Sequence, residues 1–357
     1  MSRNVVFLGN CQMGTLAHLY SVVVGDLIED KVTWIPTYEK ADGELLAALR
    51  SGDVLVRQVL DFLPQVCDID TGAAVFLFPH VAGSFLWPNA GRPHPRNMPA
   101  PMLDESGPYS AELGDSFLDR MIANGVSEQE AVIRYLDTDV ATARRVDRLM
   151  ELVLDRQRQR DSACGYNFCD FIATEFRDRR LFRSQNHPET ELTLKMASAL
   201  FTRMGVPDEA LAAIRNVDPG MLFPPTEAPL HPSVISHFGL TWADKNTRYR
   251  FFHEGRFTFA EYAARYMRYE WNSLLAEAFH WFWAGEKAKA LQLFCRSLPA
   301  SPRSAIGRAV YADLLVAQGD LATAEVAALE AAVIEPDSGG HRERIRHIMA
   351  LRQAGGA

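Results

Sequence analysis

Cys11 sits in the stretch Gly9-Asn10-Cys11-Gln12, between an apolar run, Val5-Val6-Phe7-Leu8, and a helical pattern that begins at Thr15. A thiol there, after a strand and before the first free N–H groups of a helix, can act as a nucleophile, because the helix dipole favours negative charge on sulfur. Gly9, Asn10 and Gln12 surround it with amide and backbone N–H groups able to hold an oxyanion. A plainer reading stands beside this one, in which Cys11 is a small apolar side chain filling a tight turn. His187 is the second candidate, in the break Arg183-Ser184-Gln185-Asn186-His187-Pro188 before a helix, where an imidazole can take a proton from a hydroxyl. Gln58 and His80 follow two further apolar runs, and Asn186 flanks the histidine. Arg92, Arg96 and Arg183 are planar donors suited to phosphate.

These residues need a frame that brings them together. The first eighty residues alternate between strand and helix: strands at 5–8, 32–35, 54–59 and 74–78, helices at 15–24 and 44–49, with Asp42 as N-cap of the second helix. Strands apolar throughout and separated by helices predict an α/β fold with a parallel sheet covered on both faces. In such a sheet the carboxyl ends of the strands converge, which places Cys11, Gln58 and His80 near one another.

Residues 79–108 carry seven prolines (79, 88, 93, 95, 99, 101 and 108) among Phe85, Trp87 and other apolar residues, and read as an ordered lining loop. From Ser110 to Met204 the pattern is a large helical region. It contains a capping-box start at Ser127 with Glu130, an amphipathic helix over 139–160, another over 161–176, and one over 189–204 with Pro188 at its start and Gly205 at its end. Residues 214–237 read as a proline-rich surface wrap, and 251–271 as an aromatic helix packing on a neighbouring domain. The tail repeats. Gly285 and Gly319 lie 34 residues apart, and at that offset Ala278 matches Ala312, Ala290 matches Ala324 and Pro302 matches Pro336. That period and those small residues resemble the tetratricopeptide repeat, with residues 341–353 as a capping helix. The expected division is residues 1–272 and an all-α tail, 273–357, able to dock on a protein partner or a second copy.

At 357 residues two domains are the natural expectation, and a formal charge of −8 speaks against nucleic acid as the main partner. No apolar run is long enough for a membrane span and no signal peptide is apparent, so a cytoplasmic protein is expected. Five scattered cysteines suit a reducing compartment, and no spacing calls for a metal.

Gly9-Asn10-Cys11-Gln12 after a strand, Gln58 at a later strand end, Phe78-Pro79 followed by Phe85 and Trp87-Pro88, and Asn186-His187-Pro188 before a helix come in an order that resembles the WcbI family of polysaccharide-biosynthesis proteins, over about residues 1–240. The resemblance implies an acetyltransferase that binds coenzyme A, or acetyl-coenzyme A, as substrate and acylates a sugar hydroxyl. His187 would then deprotonate the acceptor. Gly9, Asn10, Gln12, Gln58, His80 and Asn186 would bind substrate or oxyanion, and Arg92, Arg96 and Arg183 the coenzyme phosphates. Cys11 would either take the acyl group or shape the thioester site. Two other readings are a thiol esterase of the SGNH kind, passing the acyl group to water, and a non-catalytic scaffold that recruits partners through the repeat tail.

Overall fold

The computed structural model describes residues 3–24, 30–37, 47, 49–60, 72–97, 109–215, 227–251, 255–269, 273–301, 304–336 and 338–355. The chain forms two compact units, one of residues 1–88, 139–224 and 233–244, the other of residues 89–138, 225–232 and 245–357.

The first unit is built on a parallel sheet in the order β2-β1-β3-β4, with β1 Asn4–Gly9, β2 Lys31–Pro36, β3 Val54–Val59 and β4 Ala74–Pro79. The two inner strands are largely buried, as their apolar runs Val5–Leu8 and Val54–Val56 require, while the outer strands expose their first residues. Helix α1, Cys11–Val23, follows β1 directly and buries Met13, Leu16, Leu19 and Tyr20. It starts four residues earlier than the sequence pattern predicts. Asn10 is the reason: its side chain accepts a hydrogen bond from the Gln12 N–H at 2.9 Å, so the polar tetrapeptide forms the cap and first turn. Most of the helix expected over 44–49, with its Asp42 cap, lies outside the described residues, and so do residues 98–108 of the proline-rich segment. The described part of that segment in this unit is packed core: Val81, Phe85, Leu86 and Trp87 are buried.

The single helix expected over 139–160 is two helices. A short α4, Val140–Ala143, is capped by Asp139, and α5, Val146–Cys164, begins after Arg145, which adopts a left-handed φ of 52°. Gly165 ends α5, so the next helix, α6, is only Phe168–Glu175. Helix α7, Thr190–Arg203, starts where expected, with Glu189 as its cap and Pro188 just outside. Residues 227–237 do not wrap the surface as expected, since Ala228, Leu230, His231, Val234 and Ile235 are buried.

In the second unit α2, Ser116–Ala123, and α3, Glu128–Leu136, pack with α10, Phe259–Arg268. A small antiparallel ribbon of β5, Tyr249–Phe251, and β6, Gly255–Phe257, precedes α10. The aromatic segment is therefore part hairpin and part helix. Its rings pack inside their own unit, where Tyr262, Tyr266 and Tyr269 gather round Tyr109 and His94. The tail runs as α11 Ser273–Trp283, α12 Lys287–Ser297, α13 Ala305–Gln318, α14 Leu321–Ile334 and α15 Gly339–Gly355, with α11 packed on α12, α13 on α14, and α14 on α15. Ala278, Ala290, Ala312 and Ala324 are all fully buried, and Gly285 and Gly319 share a φ of 83°.

Candidate functional site

Strand β1 delivers Gly9 at its carboxyl end, and the chain turns at once into α1. There is no room for a side chain at Gly9: a Cβ would lie 2.2 Å from Met13 Cγ and 2.7 Å from Gln58 Oε1. The Asn10 N–H donates to Gln58 Oε1 at 2.9 Å, and the Asn10 carbonyl accepts from Met13 and Gly14. Cys11 is thereby fixed as the first residue of the helix, half-buried.

Gln12 is buried and its amide is fully used. Nε2 donates to the carbonyls of Val81 and Asn186, both at 2.6 Å, while Oε1 accepts from the Val81 N–H and from Gln58 Nε2, both at 3.2 Å. The expectation that Gln12 donates to an oxyanion is therefore corrected, because two buried carbonyls already hold its hydrogens and would be orphaned if it let go. Gln58 is likewise an internal brace, gripping Asn10 and Gln12. The two amides join the ends of β1 and β3, the start of the segment after β4, and the segment that carries His187. The donors left near the thiol are the Cys11 N–H and Asn10 Nδ2, neither of which has a partner among the described residues.

His187 lies in a tight excursion between α6 and α7. Phe182 and Pro188 form an antiparallel bridge, the Arg183 N–H donates to the His187 carbonyl at 2.8 Å, and the Gly83 N–H donates to the Gln185 carbonyl at 2.8 Å. Gly83 allows that approach, since a Cβ there would meet the Phe182 ring at 2.5 Å. The result is that His187 Nε2 stands 3.1 Å from Cys11 Sγ, across 176 residues of sequence. On the other side of the ring, Nδ1 is 2.9 Å from Ser184 Oγ, and Ser184 is buried. When sulfur and Nε2 share a proton, the neutral and the ion-pair forms both leave a hydrogen on Nδ1, which donates to Ser184 Oγ. A thiol, an imidazole and a hydroxyl thus stand in the order that the members of a catalytic triad take.

Burial pushes Cys164 up to about 11, and Cys169 is raised by burial as well, so both stay protonated. Cys295 is exposed on α12, and the four described cysteines are free.

The remaining predicted residues are more dispersed. His80 follows β4, its N–H bonded to the Val59 carbonyl and its own carbonyl to Arg160, and no hydrogen bond links it to Cys11. The Asn186 carbonyl serves Gln12. Arg183 pairs with Glu189, Nε to Oε1 at 2.9 Å, so any phosphate would compete with a carboxylate. Arg92 and Arg96 belong to the second unit, where Arg96 holds the carbonyls of Met267 and Tyr269 at the end of α10, both at 3.1 Å. Ser184 is the member of this cluster that sequence reasoning passes over, and its only signal is a hydroxyl three residues before the histidine in the same break. Among the described residues, no group of three His, Cys, Asp or Glu side chains is arranged to hold a metal. No described helix is long and apolar enough to cross a membrane.

Fold and site together define an α/β protein with a thiol–imidazole pair at the carboxyl end of a parallel sheet. The chain belongs to the family of the polysaccharide biosynthesis enzyme WcbI, whose model matches residues 4–209. It is similar in fold to a solved structure of WcbI, described as a novel polysaccharide biosynthesis enzyme in its native form without the disulfide bond between coenzyme A and a cysteine. The likeness has a TM-score of 0.56 at 16% identity and covers 84% of this chain and 96% of that one. No curated protein matches the sequence.

Proposed function

We propose that this chain is a coenzyme A-dependent O-acyltransferase, acting on a sugar hydroxyl in polysaccharide biosynthesis, with Cys11 as covalent nucleophile. The observation that carries the reading is the 3.1 Å contact of Cys11 Sγ with His187 Nε2, backed by Ser184. The family adds the polysaccharide setting, and the coenzyme A named for the WcbI structure supplies the donor class.

In the first half-reaction the Cys11 sulfur attacks the thioester carbonyl while its proton rests on His187 Nε2. The new carbon–sulfur bond forms, the bond to the coenzyme breaks, and the departing thiolate takes the proton back from Nε2. In the second half, Nε2 removes the proton of the acceptor hydroxyl, whose oxygen attacks the acyl-cysteine and expels the Cys11 sulfur. The Cys11 N–H and Asn10 Nδ2 hold the tetrahedral oxyanion in both halves. Gln12 and Gln58 keep the loops in register. The helical tail is read as a tetratricopeptide-like pair of units with a cap, from the buried alanines and matched glycines at a common period.

Thermal unfolding with coenzyme A and acetyl-coenzyme A tests the reading, because a ligand that binds only the native state raises its stability by about 2.7 kcal/mol at a hundred times its Kd. A rise in Tm with both compounds supports the proposal, and no rise at millimolar concentration removes it.

A further inference from the structure

Three backbone contacts close the excursion that carries His187 into a short ribbon. Phe182 and Pro188 form the antiparallel bridge, the Arg183 N–H donates to the His187 carbonyl at 2.8 Å, and the Glu189 N–H donates to the Leu181 carbonyl at 2.8 Å. A two-stranded ribbon this short is marginal by itself, so side chains must hold it. The charged ones converge on Glu189. Its Oε1 accepts from Arg183 Nε at 2.9 Å, from the Thr190 N–H at 3.1 Å and from Thr190 Oγ1 at 3.3 Å, while Oε2 lies 3.7 Å from Arg180 Nε. Arg180 Nε also reaches the Phe182 carbonyl at 3.5 Å. One carboxylate thus ties the incoming arm of the ribbon, at Arg180 and Arg183, to the start of α7 on the outgoing arm.

Burial sets this clamp apart from the ion pair beside it. The side chains of Arg180, Arg183 and Glu189 are 23%, 16% and 18% exposed, whereas those of the neighbouring pair Arg179 and Glu191 are 52% and 46% exposed. The exposed pair is screened by water and contributes little. Without the Glu189 carboxylate, two guanidinium groups would be left together and largely out of water, and such an uncompensated charge is what makes breaking a withdrawn pair costly. Glu189 is also the N-cap of α7, where the positive end of the helix favours a carboxylate.

We propose that Glu189 is a positioning residue for His187. It clamps Arg183, which stands directly across the ribbon from His187, and so keeps Nε2 at 3.1 Å from the Cys11 sulfur. Arg183 is then the other half of the clamp and not a ligand of the coenzyme phosphates. Glu189 acts through Arg183 and the ribbon backbone rather than on the reacting atoms. Its role in turnover rests on the acyl-transfer reading; its role in holding His187 against Cys11 does not.

Alkylation of Cys11 by iodoacetamide at pH 7, followed by peptide mapping, reads that contact without any substrate, because an imidazole that shares the thiol proton speeds attack by sulfur. His187→Ala should slow alkylation. Glu189→Gln, still folded by circular dichroism, should slow it about ten- to a hundredfold, toward the His187→Ala rate. Arg183→Gln cuts the clamp from the other side, keeps the test open should Glu189→Gln not fold, and should give a similar loss. The double variant should lose no more than the larger single loss, since both changes remove one contact. In turnover both single variants should lower kcat by a similar factor, with KM for acetyl-coenzyme A within about twofold of the wild type. Wild-type alkylation in folded Glu189→Gln, equal rates in the wild type and His187→Ala, or losses that multiply in the double variant would each overturn the proposal. So would an Arg183→Gln variant with wild-type alkylation and a raised KM, the signature of a phosphate ligand. A protein whose alkylation follows the expected pattern but that never turns over acetyl-coenzyme A would support the clamp and count against acyl transfer alone.

Discussion

Replacing Gln12 by Met keeps the approximate size of the side chain and removes every hydrogen bond it makes. Four are lost: two donated to the Val81 and Asn186 carbonyls at 2.6 Å and two accepted from Val81 and Gln58 at 3.2 Å. A buried hydrogen bond contributes about 1 kcal/mol net, and each orphaned group costs about 1–3 kcal/mol. The loss for Gln12→Met is thus about 4 kcal/mol or somewhat more, within the roughly 5–15 kcal/mol total stability of a folded protein, so the variant should fold but melt early. Gln58→Met removes two bonds, to Asn10 and to Gln12, and should cost about half as much. Because the pair shares one bond, the double variant should lose less than the sum of the singles by about 0.5–3 kcal/mol. Urea titration with an unchanged m-value measures all three. A loss below about 1 kcal/mol for Gln12→Met, or strict additivity of the pair, would refute the idea that these amides brace the site.

Three further outcomes follow from the same geometry. Gly83→Ala drives a Cβ into the Phe182 ring and should push away the segment bearing His187, costing about 1–3 kcal/mol and most of the activity; chemical denaturation and a rate assay on one sample check both. Ser184→Ala removes the hydroxyl 2.9 Å from Nδ1, so kcat should fall about ten- to a hundredfold with KM for the thioester little changed, and equal losses in binding would point to a collapsed loop instead. In the second unit, burial lowers His94 from 6.5 to about 4 and raises Asp115 from 3.8 to about 6. Between those values the unfolded chain holds the extra proton at His94, so that group adds stability as pH rises. The folded chain holds it at Asp115, so that group removes stability over nearly the same window. At about 1.4 kcal/mol for each pH unit that separates a group's folded and unfolded pKa, the contributions of these two groups nearly cancel between about pH 4 and 6. Relative to the wild type, the stability of Asp115→Asn should therefore rise by roughly 3 kcal/mol across that window, and two parallel profiles would contradict the assignment.

Much of the frame can be read from the chain. Val5–Leu8 and Val54–Val56 are apolar without interruption because both faces of the central strands are covered, and the 34-residue spacing of Gly285 and Gly319 marks the turns within two successive helix pairs. Cys11 and His187 stand out because each sits at a break between patterns. What cannot be read depends on partners distant in sequence. Gln12 looks like a free donor until the fold brings carbonyls from 69 and 174 residues away to claim its hydrogens. Ser184 resembles any turn serine until it is placed against Nδ1. The left-handed Arg145 that divides α4 from α5 has no glycine to announce it, and the aromatic stripe of α10 gives no sign that its neighbours are Tyr109 and His94 of its own unit.

The proposed chemistry turns on the Cys11 sulfur carrying the acyl group. Intact-mass spectrometry after brief mixing with acetyl-coenzyme A, followed by peptide mapping, addresses it directly. An acetyl adduct is expected on the peptide containing Cys11 in the wild type, slower to form in His187→Ala and absent in Cys11→Ala, which should also lose turnover. A wild type that never carries the adduct, together with a Cys11→Ala variant that turns over at the wild-type rate, would contradict it.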